Sequence, residues 1–167
     1  MTNGDVAPRS VNAAEFKSAL RAWASGVTIL TARAEGRIHG MTVSAFSSVS
    51  VEPPLVLVCA NRSSTTHELI QAGQVFGVNV LRADQSELST RFSTVEGAER
   101  FAGVPHRSGA RGVPLLDGAL VQFECEVRSE HHEGTHTVYI GEVTRAHVFE
   151  GEPLLYFDGD YATLVRS

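Results

Sequence analysis

Val121-Gln122-Phe123-Glu124-Cys125-Glu126-Val127-Arg128 alternates an apolar with a polar residue at every step. Successive side chains of a strand point to opposite faces, so this period of two predicts a half-buried strand. Val121, Phe123, Cys125 and Val127 should face inward and the polar set should face solvent. Just downstream, Glu133 and Gly134 supply a turn, and residues 137–149 read as the returning antiparallel strand. A short strand over 154–157 follows, and Asp158-Gly159-Asp160 turns the chain toward Tyr161.

Working upstream, Leu55-Val56-Leu57-Val58-Cys59-Ala60 is apolar throughout, which predicts a central strand, and Pro53-Pro54 interrupts pairing before it. The run is far shorter than the roughly 20 residues a membrane helix needs. Residues 27–32, 40–46 and 76–81 also read as strands, with a turn over 34–37. Between the strands lie helix signals. Asn12 with Glu15 forms a capping box and Val11 with Phe16 a hydrophobic staple, predicting a helix with Phe16, Ala19, Leu20 and Trp23 on its apolar face and a stop at Gly26. Thr65 with Glu68 predicts a second capping box, with Leu69 and Ile70 inside and a stop at Gly73; Asp84 with Glu87 opens a third helix that ends near Phe92. Residues 93–117, with Gly97, Gly103, Gly109, Gly112, Pro105 and Pro114, read as a long surface excursion holding at most a short helix over 98–101. Roughly six or seven strands, largely antiparallel, and a few short helices predict a mainly β (α+β) small barrel with helices filling its gaps.

The chain has 167 residues, 43% hydrophobic and 20% charged, which fits one globular domain over 11–167 behind a flexible tail at 1–10. A net charge of -5 argues against a nucleic-acid partner. Met1 to Ser10 lacks the charged start and apolar run of a secretory signal, so a cytoplasmic protein without membrane attachment is expected. Cys59 and Cys125 are separate and outside any CxxC, as in reduced cytoplasmic thiols, and apolar packing is their simplest role.

Two segments carry chemistry. Asn61-Arg62-Ser63-Ser64-Thr65 leaves a buried strand and enters a helix N-terminus. Unpaired amides, the helix dipole, three hydroxyls and the Arg62 charge would suit a phosphate, while helix capping alone is the plainer reading. Gly40-Met41-Thr42-Val43-Ser44-Ala45-Phe46-Ser47-Ser48 is rich in small and hydroxyl residues. Such a strand lets a flat ring approach backbone amides, and a water-facing edge strand is the competing reading.

In order and spacing these segments resemble the flavin reductase family of FMN-binding split barrels, the small partners of two-component monooxygenases. The resemblance runs from Trp23-Ala24-Ser25-Gly26-Val27-Thr28-Ile29-Leu30-Thr31 through 40–50, Pro53-Pro54-Leu55-Val56-Leu57-Val58-Cys59 and 61–65 to Arg91-Phe92. It continues in Gly134-Thr135-His136, Ile140-Gly141-Glu142-Val143 and Pro153-Leu154-Leu155-Tyr156. It implies a Greek-key split barrel that passes hydride from NADH or NADPH to FMN or FAD, a homodimer, and an oxygenase or halogenase that receives the reduced flavin. It also implies that Thr42, Val43, Ser44 and Phe46 line the isoalloxazine ring with Ser47 and Ser48 at its edge. Cys59, Asn61, Ser63, Ser64 and Thr65 would hold the ribityl chain and phosphate, and Arg91 and Phe92 would approach the same cofactor. His136 would sit where the nicotinamide arrives. The family often carries an acidic residue between the glycine and the histidine, where this chain has Thr135.

His131, His132, Glu133 and His136, with His147 further on, fall on a hairpin whose alternating side chains face opposite ways, so no metal site is expected. The chain holds no GxSxG elbow, P-loop or GxGxxG, so a nicotinamide dinucleotide would have to lie against the flavin. A split-barrel flavin oxidase of a small metabolite and a non-enzymatic flavin-binding module are the other readings; NADH consumption with and without added flavin separates all three.

Overall fold

The computed structural model describes residues 10–165; the tail expected at the N-terminus lies, but for Ser10, outside the described residues. Helix α1 spans Ala13–Leu20, and strands β1 (Ser25–Gly26), β2 (Thr28–Ala34), β3 (Arg37–Val43), β4 (Phe46–Ser50) and β5 (Leu55–Asn61) follow. Next come α2 (Thr65–Gly73), β6 (Val75–Val80), α3 (Ser86–Thr94) and a 3-10 turn (Gly97–Phe101). The rest is strand: β7 (His106–Ser108), β8 (Pro114–Leu116), β9 (Val121–Glu133), β10 (His136–Val148), β11 (Leu155–Phe157) and β12 (Asp160–Ala162). Among the described residues no helix is long and apolar enough to cross a membrane.

A seven-stranded sheet has the order β3-β2-β6-β9-β10-β5-β4, with its hydrogen-bonded neighbours antiparallel. Its two edge strands, β3 and β4, are consecutive in the chain and joined only by Ser44 and Ala45. A link that short reaches roughly 10 Å, so the opposite edges of the sheet must curl toward one another into a split barrel. The stretch expected as one strand over 40–46 is therefore two, broken at the point where the barrel turns its corner. Helix α2 packs on β2 and β3 at one edge and on β5 near the other, placing Leu69 and Ile70 in the interior.

Two apolar clusters divide at β2. Leu30 and Ala32 join Val43, Val56, Val58, Phe76, Val78 and Tyr139 inside the barrel, with Phe46 and Phe123 packed against them. Ile29, one residue out of phase, joins Val27, Leu81, Phe92, Phe101, Leu116 and Leu154 in a second cluster outside it. The 93–117 segment is thus a surface excursion only as far as residue 111, apart from Phe101. Val113, Leu115 and Leu116 are fully buried, and β7 and β8 form a hairpin that roofs the outer face of β2, β6 and β9.

That roof overturns half of the reading of β9. Gln122 and Glu124, expected to face water, are 2% and 1% exposed. Gln122 donates to Leu116 O and accepts from Arg107, while Glu124 accepts the Ala110 amide at 2.6 Å. Buried polar groups are tolerable only when so paired. Asn79 does the same beneath the hairpin, accepting from Leu116 N at 2.8 Å and donating to Ile29 O at 3.2 Å.

The helix ends agree in part. Asn12 caps α1 with the full capping box, but the helix ends at Leu20, Arg21 is its C-cap, and Gly26 belongs to β1. No residue of α1 is buried. Ser64, not Thr65, caps α2, and Gln74 in the left-handed region, not Gly73, closes it. Asp84 caps nothing: it pairs with the Arg82 guanidinium at 2.8 Å, and α3 runs on to Thr94 with no side-chain cap. The β2–β3 turn is Glu35-Gly36, with φ of 51° and 74°, the two successive positive values that a tight hairpin requires.

Candidate functional site

The outer face of the barrel is roofed along β2, β6 and β9. Along β4, β5 and β10, the alternation of β5 sends Val56, Val58 and Ala60 inward and leaves Leu55, Leu57, Cys59 and Asn61 half-buried on the outside. The β5–β10 register sets Ile140 beside Leu57, Val138 beside Cys59 and His136 beside Asn61, all on that outer face. The Cys59 amide also donates to Ala45 O at 3.2 Å, which draws the Ser44–Ala45 corner against the same strip. The result is a flat apolar floor, Leu57 and Cys59 with Val138 and Ile140, ending in the polar pair Asn61 and His136. From Leu57 to Asn61 it runs about 13 Å along the strand.

Beyond Asn61 the floor opens into a cavity of about 850 Å³ whose lining includes the whole 61–65 loop, His67, His132 and Thr135. The loop is an Asx turn: Asn61 Oδ1 accepts from Ser63 N at 3.0 Å and Ser63 Oγ at 2.8 Å. Ser64 Oγ donates to Asn61 O at 2.7 Å and accepts the His67 amide at 3.2 Å. The Ser63 and Ser64 hydroxyls are therefore engaged within the chain. Among the described residues, the Thr65 hydroxyl and the Thr65 amide have no hydrogen-bond partner. These unpaired donors stand at the positive end of a nine-residue helix with Arg62 beside them, an arrangement that fits an anionic group. The acid nearest the mouth, Glu68, is held by Arg37 at 2.9 Å.

Three polar side chains that sequence reasoning missed support this wall. His67 Nε2 and His132 Nδ1 both lie 2.9 Å from Thr137 Oγ1. One hydroxyl proton serves only one of two acceptors, so at least one imidazole donates to Thr137. Burial lowers the pKa of His67, favouring the neutral ring, against the opposing pull of Glu130. His67 is two residues beyond Thr65 on the same helix turn, a signal open to the sequence; the approach of His132 and Thr137 is a product of pairing. Burial also raises the Cys59 thiol above its ordinary range, which suits a packing role rather than a nucleophile.

The structure thus gathers Ser47, Cys59, Asn61, Ser63, Ser64, Thr65 and His136 along one outer strip, while Ser44 lines a separate cleft. Ser48 is exposed but alternates with Ser47, so the two do not share a face. The other expected site residues lie elsewhere. Val43 is 6% exposed and Phe92 0%, both core; Phe92 packs edge-on against Phe101 at 5.0 Å. Phe46 turns inward and stacks on Phe123 at 6.0 Å. The Arg91 guanidinium donates to the carbonyls of Glu99, Arg100 and Ala102, closing the 3-10 turn rather than facing the strip. Thr42 donates to Ser89 O at 2.6 Å and lines a smaller cleft, about 220 Å³, with Ser44, Ser93, Tyr156 and Tyr161.

The family described as flavin reductase like domain matches residues 20–165. The FMN reductase (NADH) SmoA of Agrobacterium fabrum is 39% identical over 160 residues, covering 96% of this chain and 91% of that protein. The reductase component of the FADH(2)-dependent resorcinol hydroxylase of a Rhizobium species is 42% identical over 161 residues, covering 94% and 89%. Among solved structures, BorF, the flavin reductase component of a bacterial two-component tryptophan halogenase, superposes with a TM-score of 0.85 at 30% identity, covering 93% of this chain and all of that one. Sequence and split-barrel architecture agree over nearly the whole chain, and the protein belongs to the flavin reductase-like family.

Proposed function

We propose that the protein is an NAD(P)H:flavin oxidoreductase that reduces FMN or FAD and supplies the product to a partner monooxygenase or halogenase. The observation that carries this is the outer strip of β5 and β10, in which an apolar floor leads into unpaired amide and hydroxyl donors, on a chain of the flavin reductase-like family. An amphipathic flavin fits such a strip, ring toward the floor and phosphate toward α2. When bound, the flavin supplies the hydride acceptor, and the nicotinamide dinucleotide is the donor.

The chain's own part is binding and alignment. Leu57, Cys59, Val138 and Ile140 exclude water from one face of the ring, and Ser47 stands at its edge. Thr65, through its hydroxyl and amide, and Arg62 hold the phosphate, with Asn61, Ser63 and Ser64 shaping the loop around it. His136, beside Asn61 at the end of the floor, guides the nicotinamide. Holding two rings in contact makes the transfer effectively intramolecular, so no side chain needs to relay a proton.

A homodimer completes this reading. Phe16 and Leu20 of α1 and Trp23 just beyond it are 58%, 49% and 74% exposed, an apolar surface that a second copy of the chain would cover. One domain over 11–167 and a cytoplasmic setting, where NADH is at hand and Cys59 and Cys125 stay free, belong to the same proposal. The test is steady-state NADH and NADPH oxidation with FMN and FAD in all four combinations. Turnover that requires added flavin supports the reductase. Flavin-dependent oxidation of a metabolite without nicotinamide would replace it with an oxidase, and tight binding without turnover with a carrier.

A further inference from the structure

We infer that Thr135 is the positioning residue for His136, its hydroxyl setting the orientation of the imidazole. The inference rests on the reading of His136 as the nicotinamide guide. Gly134 and Thr135 form the two-residue turn between β9 and β10, so His136 begins its strand directly after Thr135. The Thr135 carbonyl accepts the Arg62 amide at 3.0 Å, which ties the turn to the loop leaving β5. Its hydroxyl lies 2.9 Å from His136 Nδ1. Thr135 therefore touches both halves of the strip: it lines the cavity of the 61–65 loop and holds the ring that stands beside Asn61.

The choice of a hydroxyl has a chemical consequence. A carboxylate at this position only accepts, and it would keep a proton on Nδ1. A hydroxyl donates or accepts. When Thr135 donates to Nδ1, Nε2 carries the ring proton and donates to a carboxamide oxygen; when it accepts from Nδ1–H, Nε2 is left as an acceptor for a carboxamide N–H. The ring is thus held in place in either tautomer, and its outer nitrogen adapts to the group that arrives.

The test is stopped-flow reduction of bound flavin at varied NADH for Thr135→Val, Thr135→Ser, His136→Ala and the double variant Thr135→Val/His136→Ala. Loss of one neutral hydrogen bond should raise the NADH concentration for half-maximal rate about two- to tenfold in Thr135→Val. Melting temperature should stay at the wild-type value, Thr135→Ser should restore NADH dependence, and the double variant should be no worse than His136→Ala. Wild-type NADH dependence in Thr135→Val beside a defective His136→Ala would overturn the positioning role alone. Effects that multiply in the double variant would do the same. A His136→Ala variant with wild-type NADH dependence would remove the nicotinamide reading, and this inference with it.

Discussion

Thr65→Val and Ser64→Ala separate two jobs that neighbouring hydroxyls perform at the start of α2. Ser64 Oγ is the N-cap, accepting the His67 amide and donating to Asn61 O, so its proton is not available to a ligand. Its removal should cost about 1 kcal/mol of stability, a fall of roughly 2–4 °C in melting temperature for a domain of this size. Thr65 Oγ1 has no partner among the described residues and lines the same cavity. Valine keeps its shape and removes only the donor. A hydrogen bond to a charged phosphate is worth about 1.5–3 kcal/mol, so Thr65→Val should weaken flavin binding by roughly 10- to 150-fold at an unchanged melting temperature. Fluorescence titration with FMN, paired with thermal melts of both variants, measures the two effects. The opposite pattern, with Ser64→Ala losing affinity at full stability and Thr65→Val binding normally, would refute the assignment of the anion to the α2 donors.

Gly141→Ala would place a Cβ 2.7 Å from Phe76 Cε1 and 3.0 Å from Cys125 Cβ, so overpacking should cost about 1–3 kcal/mol in a thermal melt, and an unchanged melt would mean that the interior yields there. His39, bonded to Thr66 Oγ1 at 2.8 Å, has its pKa lowered to about 4 by burial and by Arg100 and Arg37. The unfolded chain therefore binds the extra proton first, so stability is fully present above pH 6.5 and falls as the pH drops toward 4. Urea unfolding at several pH values should show this loss, and His39→Gln should flatten it; an equal slope in the variant would exonerate His39. Sedimentation should find a dimer that Leu20→Glu with Trp23→Glu dissociates, and a wild-type monomer with full activity would leave the subunit proposal without support.

Local chemistry was legible in the chain. The Asn12–Glu15 box, the long β9–β10 hairpin, the 3-10 turn near Phe101 and the polar loop at 61–65 each follow from residues within a few positions of one another. So did the family, because its motifs are runs of adjacent residues. Tertiary structure alone decided what covers each face. Alternation says that Gln122 and Glu124 share a side, yet only the arrival of the β7–β8 hairpin makes that side interior. The 42–48 run looked like one lining surface, but a strand sends neighbours to opposite faces and the barrel corner breaks this one, giving Val43 and Phe46 to the core. The site itself is a matter of register. Cys59 meets Val138 and Asn61 meets His136 because strands more than 70 residues apart pair with one particular offset, and a slip of one residue would turn each of those side chains to the other face.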